Sequence, residues 1–289
     1  PINAPVIGRI ISYTTTRGDL GRSTVQMSTN TGLKGFQVTG TGVSIENFIV
    51  DCGSLGTSTG ISFEAAFARV VNSKVQGGCS TKGIDFTSNQ NLLVDSEITA
   101  VGSGCTSAVN ATGTPTNIIR SYIHDNACAG LISTGTTNIT RSIFRSNTGI
   151  GVSLTAASTP NTIAASTFDA NTSDGLKLTS VGMMYGYVGN NLFTGNGGYG
   201  INAVAAFPVD IAFDANGFYN NNSGGAQTNN ITSTAGNFAA VAMTYHNPTI
   251  TVDPYVSAGT NQGLNTTTGG GAAARNAGLP GAFPGLAST

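Results

Sequence analysis

The sequence predicts an all-β fold: a right-handed parallel β-helix of about eight coils with an irregular C-terminal tail. Three observations carry this. A Gly-aliphatic pair recurs every two dozen residues, a second track runs in phase with it, and the composition is low in charge yet rich in evenly spaced apolar residues.

The Gly-aliphatic pairs are Gly60-Ile61, Gly83-Ile84, Gly130-Leu131, Gly151-Val152, Gly175-Leu176 and Gly200-Ile201. Neighbours lie 21 to 25 residues apart, except for 47 between Gly83 and Gly130, which is two periods with Ala108-Val109 in the middle slot. A fixed period of this size marks a stacked architecture, in which one repeat is too small to bury its own apolar row.

The second track reads polar, small, polar, aliphatic, then Asn three residues on. Its members are Arg120-Ser121-Tyr122-Ile123 to Asn126, Arg141-Ser142-Ile143-Phe144 to Asn147, Ala165-Ser166-Thr167-Phe168 to Asn171, Asn190-Asn191-Leu192-Phe193 to Asn196, and Asn216-Gly217-Phe218 to Asn221. Earlier coils keep the strand without the Asn: Glu46-Asn47-Phe48-Ile49, Asn72-Ser73-Lys74-Val75 and Asp95-Ser96-Glu97-Ile98. Alternation along a strand places Ile119, Ser121 and Ile123 on one face and Arg120, Tyr122 and His124 on the other. Stacking then puts Ile98, Ile123, Phe144, Phe168, Phe193 and Phe218 in one interior column. At about 4.8 Å per coil, eight coils make a rod of roughly 40 Å. Asn126, Asn147, Asn171, Asn196 and Asn221 read as a structural ladder, because Asn tolerates left-handed backbone at a turn and its amide can bond the next coil. Ser73, Ser96, Ser121, Ser142 and Ser166 read as small inward residues whose hydroxyls bond along the stack.

Composition limits the function classes. Charged residues are 9% of 289, Gly numbers 40, hydrophobics are 39% and the net charge is −1. Disordered chains combine low hydrophobicity with high net charge, which is not this pattern. Twelve Lys and Arg leave no basic patch to neutralise phosphates, so nucleic acid is not an expected partner. No run of 18 apolar residues is present, so no helical membrane span is expected. The opening Pro1-Ile2-Asn3-Ala4-Pro5 reads as a processed or internal start.

Residues 1–42 read as an N-terminal strand and coil-opening segment, 43–256 as the β-helix, and 257–289 as a Gly/Pro-rich tail lying back along the rod or docking on a neighbour. Ala239-Ala240-Val241-Ala242-Met243 and Thr249-Ile250-Thr251-Val252 are the expected last strands. Neither end shows a bulky cap over its strand edge, which suggests cover by further sequence or by another subunit.

Taken together, these segments resemble the pectate-lyase-like and tailspike-like superfamily of right-handed parallel β-helices. Within it they are most similar to uncharacterised β-helix proteins encoded by bacteria and tailed phages. The opening Tyr13-Thr14-Thr15-Thr16-Arg17-Gly18-Asp19 and the closing Asn276-Ala277-Gly278-Leu279-Pro280-Gly281-Ala282-Phe283-Pro284-Gly285 resemble the two ends of their coil arrays. The resemblance implies a fold. It does not imply an activity, because the superfamily holds both enzymes and inert rods.

The four cysteines, Cys52, Cys79, Cys105 and Cys128, fall about one per coil in the same turn region. That spacing suits disulfides Cys52–Cys79 and Cys105–Cys128 in an oxidising setting, and equally a stack of buried free thiols. No CxxC or Cys/His spacing suggests zinc.

Enzymes on this fold work with carboxylates, or with Arg or Lys plus calcium, on an outward strand face. The outward rows Asp95, Glu97, Thr99; Arg120, Tyr122, His124; Arg141, Ile143, Arg145; and Ala165, Thr167, Asp169 form one dense polar patch. Glu97, His124, Arg145 and Asp169 are the catalytic candidates. Asp95, Arg120, Tyr122 and Arg141 are the glycan-binding ones, with Tyr122 stacking on a sugar. Asp95 and Glu97, two apart on one strand, would lie about 7 Å apart, within the roughly 5–9.5 Å that glycoside cleavage needs. The competing reading pairs Asp95 with Arg120 and Arg145 with Asp169 as cross-strand ion pairs. Asp125 and Asp253-Pro254 read as turns, His246 as a loop residue, Asp210 and Asp214 as isolated acids, and Arg17-Gly18-Asp19 as part of the opening motif. The calcium-binding Asp-x-Asp pattern is absent.

These observations favour a non-catalytic structural subunit of an extracellular or virion assembly: a phage tail or capsid appendage, or a surface filament, with adhesion as a further role. The alternatives are a polysaccharide lyase or glycoside hydrolase, and a glycan-binding adhesin. No cofactor or metal is expected. The expected partners are copies of the chain or other structural subunits, with surface polysaccharide as a further candidate, outside the cell, at its surface or on a virion.

Overall fold

A computed structural model describes residues 2–4, 8–12, 21–27, 32–53, 58–155, 160–179, 184–204, 209–223, 231–233, 244–245, 250, 253–257 and 261–264. Short strands form three parallel sheets of ten, ten and nine strands, close to the coil number expected. Each coil visits the first, second and third sheet in turn, and the winding is right-handed. The strands Ile2–Ala4, Gly8–Ile11 and Ser23–Gln26 already belong to these sheets. A separate antiparallel pair, Tyr255–Ser257 with Asn261–Leu264, follows the array.

The register explains the repeat. Ile61, Ile84, Val109, Leu131, Val152, Leu176 and Ile201 lie over one another in the first sheet. In the third sheet Ile98, Ile123, Phe144, Phe168, Phe193 and Phe218 do the same, all buried. The four phenylalanine rings stack with centroids 5.5, 4.7 and 5.2 Å apart, as expected for one internal column. At Gly60, Gly83, Gly130, Gly151 and Gly175 the glycine before the aliphatic meets a backbone carbonyl of the next coil at close range, while Ala108 fills the same slot in one coil. A Cβ at Gly130 would lie 2.5 Å from the carbonyl oxygen of Gly151 and 3.0 Å from Asn147 Nδ2.

The Asn ladder runs through the interior. Asn126, Asn147 and Asn171 each donate an amide N–H to the side-chain oxygen of the Asn one coil on, at 2.8–2.9 Å, and Asn196 continues to Asn221 at 2.8 Å. Each also donates to a carbonyl of the preceding coil, as Asn171 does to Phe144 at 3.0 Å. Left-handed backbone is not the cause of the column. It belongs to the residue before each Asn, namely Asp125, Ser146, Ala170, Gly195 and Asn220. What selects Asn is its buried amide, which satisfies two neighbouring coils at once. The Ser column behaves similarly: the backbone N–H of Ser96 donates to Ser121 Oγ, Ser121 to Ser142 Oγ and Ser142 to Ser166 Oγ. It continues as a second Asn ladder, Asn191 to Asn216 at 3.1 Å.

One expectation about facing is overturned. Ile119 does not share a face with Ser121 and Ile123. The chain turns a corner at Arg120 (φ 47°), so Thr116–Ile119 and Tyr122–His124 lie in different sheets. Ile118 points inward and Ile119 outward. Asp95, Arg141, Ala165 and Asn190 hold the same corner with positive φ. Asp95 and Glu97 therefore do not lie on one strand.

Both cysteine pairs are disulfides, Cys52–Cys79 and Cys105–Cys128, with Cα separations of 5.0 and 5.7 Å. Tyr13–Asp19, 239–243, His246 and 276–285 lie outside the described residues. So does the expected strand 249–252 except Ile250, which is buried and in no strand.

Candidate functional site

The polar patch lies on the outward face of the third sheet. Two columns cross it. The first holds Lys74, Glu97, Tyr122, Ile143, Thr167 and Leu192; the second holds Thr99, His124, Arg145, Asp169 and Thr194. Neighbours in a column are one strand spacing apart, about 4.8 Å, so side chains from successive coils meet.

Two chains of contacts result. In the first, Lys74 Nζ lies 3.0 Å from Glu97 Oε1, and the same oxygen lies 3.1 Å from His124 Nε2. His124 Nδ1 contacts Asp125 Oδ2 at 2.7 Å, with Thr99 Oγ1 at 3.5 Å. The Tyr122 and His124 rings stack with centroids 3.7 Å apart. In the second, Arg145 is hydrogen-bonded to the Tyr122 hydroxyl and lies 3.2 Å from Asp169 Oδ2, while Thr194 donates to Asp169 Oδ1 at 2.6 Å. Asp95 and Arg120 pair at the exposed corner, with two bonds of 2.7 and 2.8 Å. Arg141, one coil on, is exposed and takes no part in either chain.

The electrostatics separate the two acids. Burial raises the Glu97 carboxyl, but the bonds from His124 and Lys74 outweigh it and hold Glu97 below its ordinary value. For Asp169 burial wins over the help of Thr194 and Arg145, and its carboxyl is pushed up, with Asp253 adding to the rise. Burial also raises the Tyr122 hydroxyl.

The patch is not uniformly solvated. Part of the patch is dry: Ile143, Thr167, Asp169, Leu192 and Thr194 are buried, while Arg145 stays partly exposed. Asp253 is close enough to act on the Asp169 carboxyl, and its neighbour Pro254 is buried.

This geometry does not assemble a pair of carboxylates for glycoside cleavage. Glu97 and Asp169 are three strand spacings apart, about 14 Å, against the roughly 5–9.5 Å required. The space between Glu97 and Asp125 is filled by the imidazole that both contact. Asp95 stands at a corner and is engaged by Arg120. Among the described residues no group of three His, Cys, Asp or Glu is placed to hold a metal ion. No helix among them is long and apolar enough to cross a membrane. Lys74, Thr194 and the partnership of Asp125 with His124 were not anticipated. The first two could have been read from the period, since Lys74 precedes Glu97 by one coil and Thr194 follows Asp169 by one.

Comparison with solved structures finds the crystal structure of pectate lyase Pel9A similar, at 11% identity and a TM-score of 0.56, over 83% of this chain and 74% of that one. At that identity the likeness is one of fold. No curated protein matches the chain. A family model described as the right-handed beta helix region matches residues 59–216, which spans the stretch where the interior columns and the Asn ladder are most regular. By that match and by its coil geometry, the chain belongs to the right-handed β-helix family.

Proposed function

We propose that this chain is a non-catalytic structural rod in an extracellular or virion-borne assembly. One observation carries the reading: each catalytic candidate is consumed by a neighbour. Glu97 is held by Lys74 and His124, and Asp169 is buried against Arg145 and Thr194. A general acid or nucleophile needs a free approach to substrate, and these groups have given theirs to the stack. Two disulfides and several interior ladders support an architecture selected for rigidity outside the reducing cytosol.

The test is incubation of the purified chain with a panel of acidic and neutral polysaccharides, together with imaging of the particle. Rods or filaments without turnover are expected. Polysaccharide cleavage that disappears in Glu97→Gln or Arg145→Ala would overturn the proposal in favour of a lyase or hydrolase. Saturable glycan binding without cleavage, lost in Tyr122→Ala, would establish an adhesin instead.

A further inference from the structure

The corner where the chain leaves the third sheet for the first is fastened in two ways. In the later coils the Asn ladder does it: Asn126, Asn147, Asn171, Asn196 and Asn221 each stand between a third-sheet strand and the next first-sheet strand. In the earlier coils the same corner carries Cys52, Cys79, Cys105 and Cys128, joined pairwise. The changeover falls within one coil. Asn126 begins the ladder and Cys128 ends the cysteine series two residues later. Asn126 Oδ1 accepts from the backbone N–H of Val101, at the place where the coil before has no Asn.

The two bridges differ in access. Cys52 and Cys79 are fully buried, and the Cys79 sulfur packs beside Gly60. Cys128 is buried as well, but its partner Cys105 is partly exposed. Cys105 stands in the turn Gly102–Thr106, where Ser103, Gly104 and Thr106 are all exposed and Gly104 takes a left-handed φ of 101°. The Cys105 N–H donates to Gly102 O at 3.4 Å, a long bond within the same turn. Thiol–disulfide exchange requires a thiolate to reach a sulfur, so this access decides which bridge reacts.

We infer that Cys105–Cys128 is a redox-sensitive latch, which a dithiol opens in the folded chain while Cys52–Cys79 stays shut. A thiolate of the dithiol attacks one sulfur of the bridge, and the other sulfur leaves as a thiolate. The second thiol of the reagent then closes its own disulfide and releases the first cysteine. The net step moves two electrons and two protons: the dithiol is oxidised to a cyclic disulfide, and Cys105 and Cys128 become thiols. Opening frees the 102–106 turn from its covalent tie to the next coil. The corner then depends on hydrogen bonds, among them Gly102 N–H to Cys79 O and Ala127 N–H to Val101 O, both at 2.9 Å. The Asn ladder has no redox-active group, so the later coils do not respond. Polysaccharide turnover by the rod would leave this latch unaffected.

Treatment of the full chain with dithiothreitol and then iodoacetamide, without denaturant, tests it by mass spectrometry. The expected result is alkylation of Cys105 and Cys128, with Cys52 and Cys79 labelled only once denaturant is added. Amide hydrogen exchange measured in dithiothreitol should speed about tenfold or more at 102–106 and stay unchanged around Asn147, Asn171 and Asn196. The double variant Cys105→Ser with Cys128→Ser should show the faster exchange without reductant and no further response to it. If that variant misfolds, labelling of the wild-type chain still decides. Labelling of all four cysteines together, of Cys52 and Cys79 first, or of none would overturn the inference. So would exchange at 102–106 that ignores reduction, or a rise that is equal along the ladder.

Discussion

At the scale of single residues, positions in this chain are chosen by what lies one coil above and below. Asn147 contacts both neighbouring coils: it donates to Ile123 O and Asn171 Oδ1 and accepts from Asn126. Asn147→Ala leaves the Asn126 amide short of a partner in a buried place, at a cost of about 1–3 kcal/mol, read as a lower midpoint in denaturant. Gly130→Ala should cost about as much, because the new methyl meets a backbone oxygen that cannot move aside. The acids carry opposite pH dependences. Glu97 is held low, so its contribution to stability is present above the ordinary carboxylate range and is lost as pH falls through its lowered folded value. Asp169 is raised, so its contribution is present at low pH and is lost as pH rises through its raised folded value. Stability measured against pH should therefore show wild type losing its advantage over Glu97→Gln on acidification. Asp169→Asn should gain on wild type as pH rises. Parallel curves for wild type and either variant would show that the group is not coupled to folding.

At the scale of the coil, three short strands and their corners form the unit, and the disulfides clip pairs of units. Each bridge closes a loop of 27 or 23 residues, worth about 3 kcal/mol through restriction of the unfolded chain. Replacing Cys105 and Cys128 by Ala should lower thermal stability without moving the far-UV spectrum, since the interior columns remain. A lost spectrum would mean that the coils need the clip to form at all. The coil period was legible because Gly130, Gly151 and Gly175 recur under the same steric demand. The corners were not legible. A left-handed residue at Asp95, Arg120, Arg141 and Ala165 has no common side chain. The turn is imposed by the geometry of winding rather than by residue preference, and alternation was carried through it, placing Ile119 on the wrong face.

At the scale of the whole molecule, stacking converts a weak pattern into a continuous core and three outward faces of different character. One is polar and self-compensated from Lys74 to Thr194 and partly buried from Ile143 onward. Another, on the second sheet, is uncharged from Leu92 to Ala164 among the described residues. The rod should give an elongated profile in small-angle scattering, longer than a globule of the same 29.1 kDa. A compact globular profile would contradict the stacked core. The candidate site was half legible. The ion pairs Asp95–Arg120 and Arg145–Asp169 follow from the period, but the action of Asp253, more than 80 residues later, on Asp169 does not.

By itself the sequence determined the period, the interior columns, the Asn ladder and the cysteine register. Each of these is a relation between positions a fixed distance apart, which a regular winding maps directly onto contact. Tertiary structure alone decided which sheet each residue faces across a corner and which carboxylates stay wet. Those depend on the angle between sheets and on where a non-repeating segment comes to rest, and neither is written in any local pattern of residues.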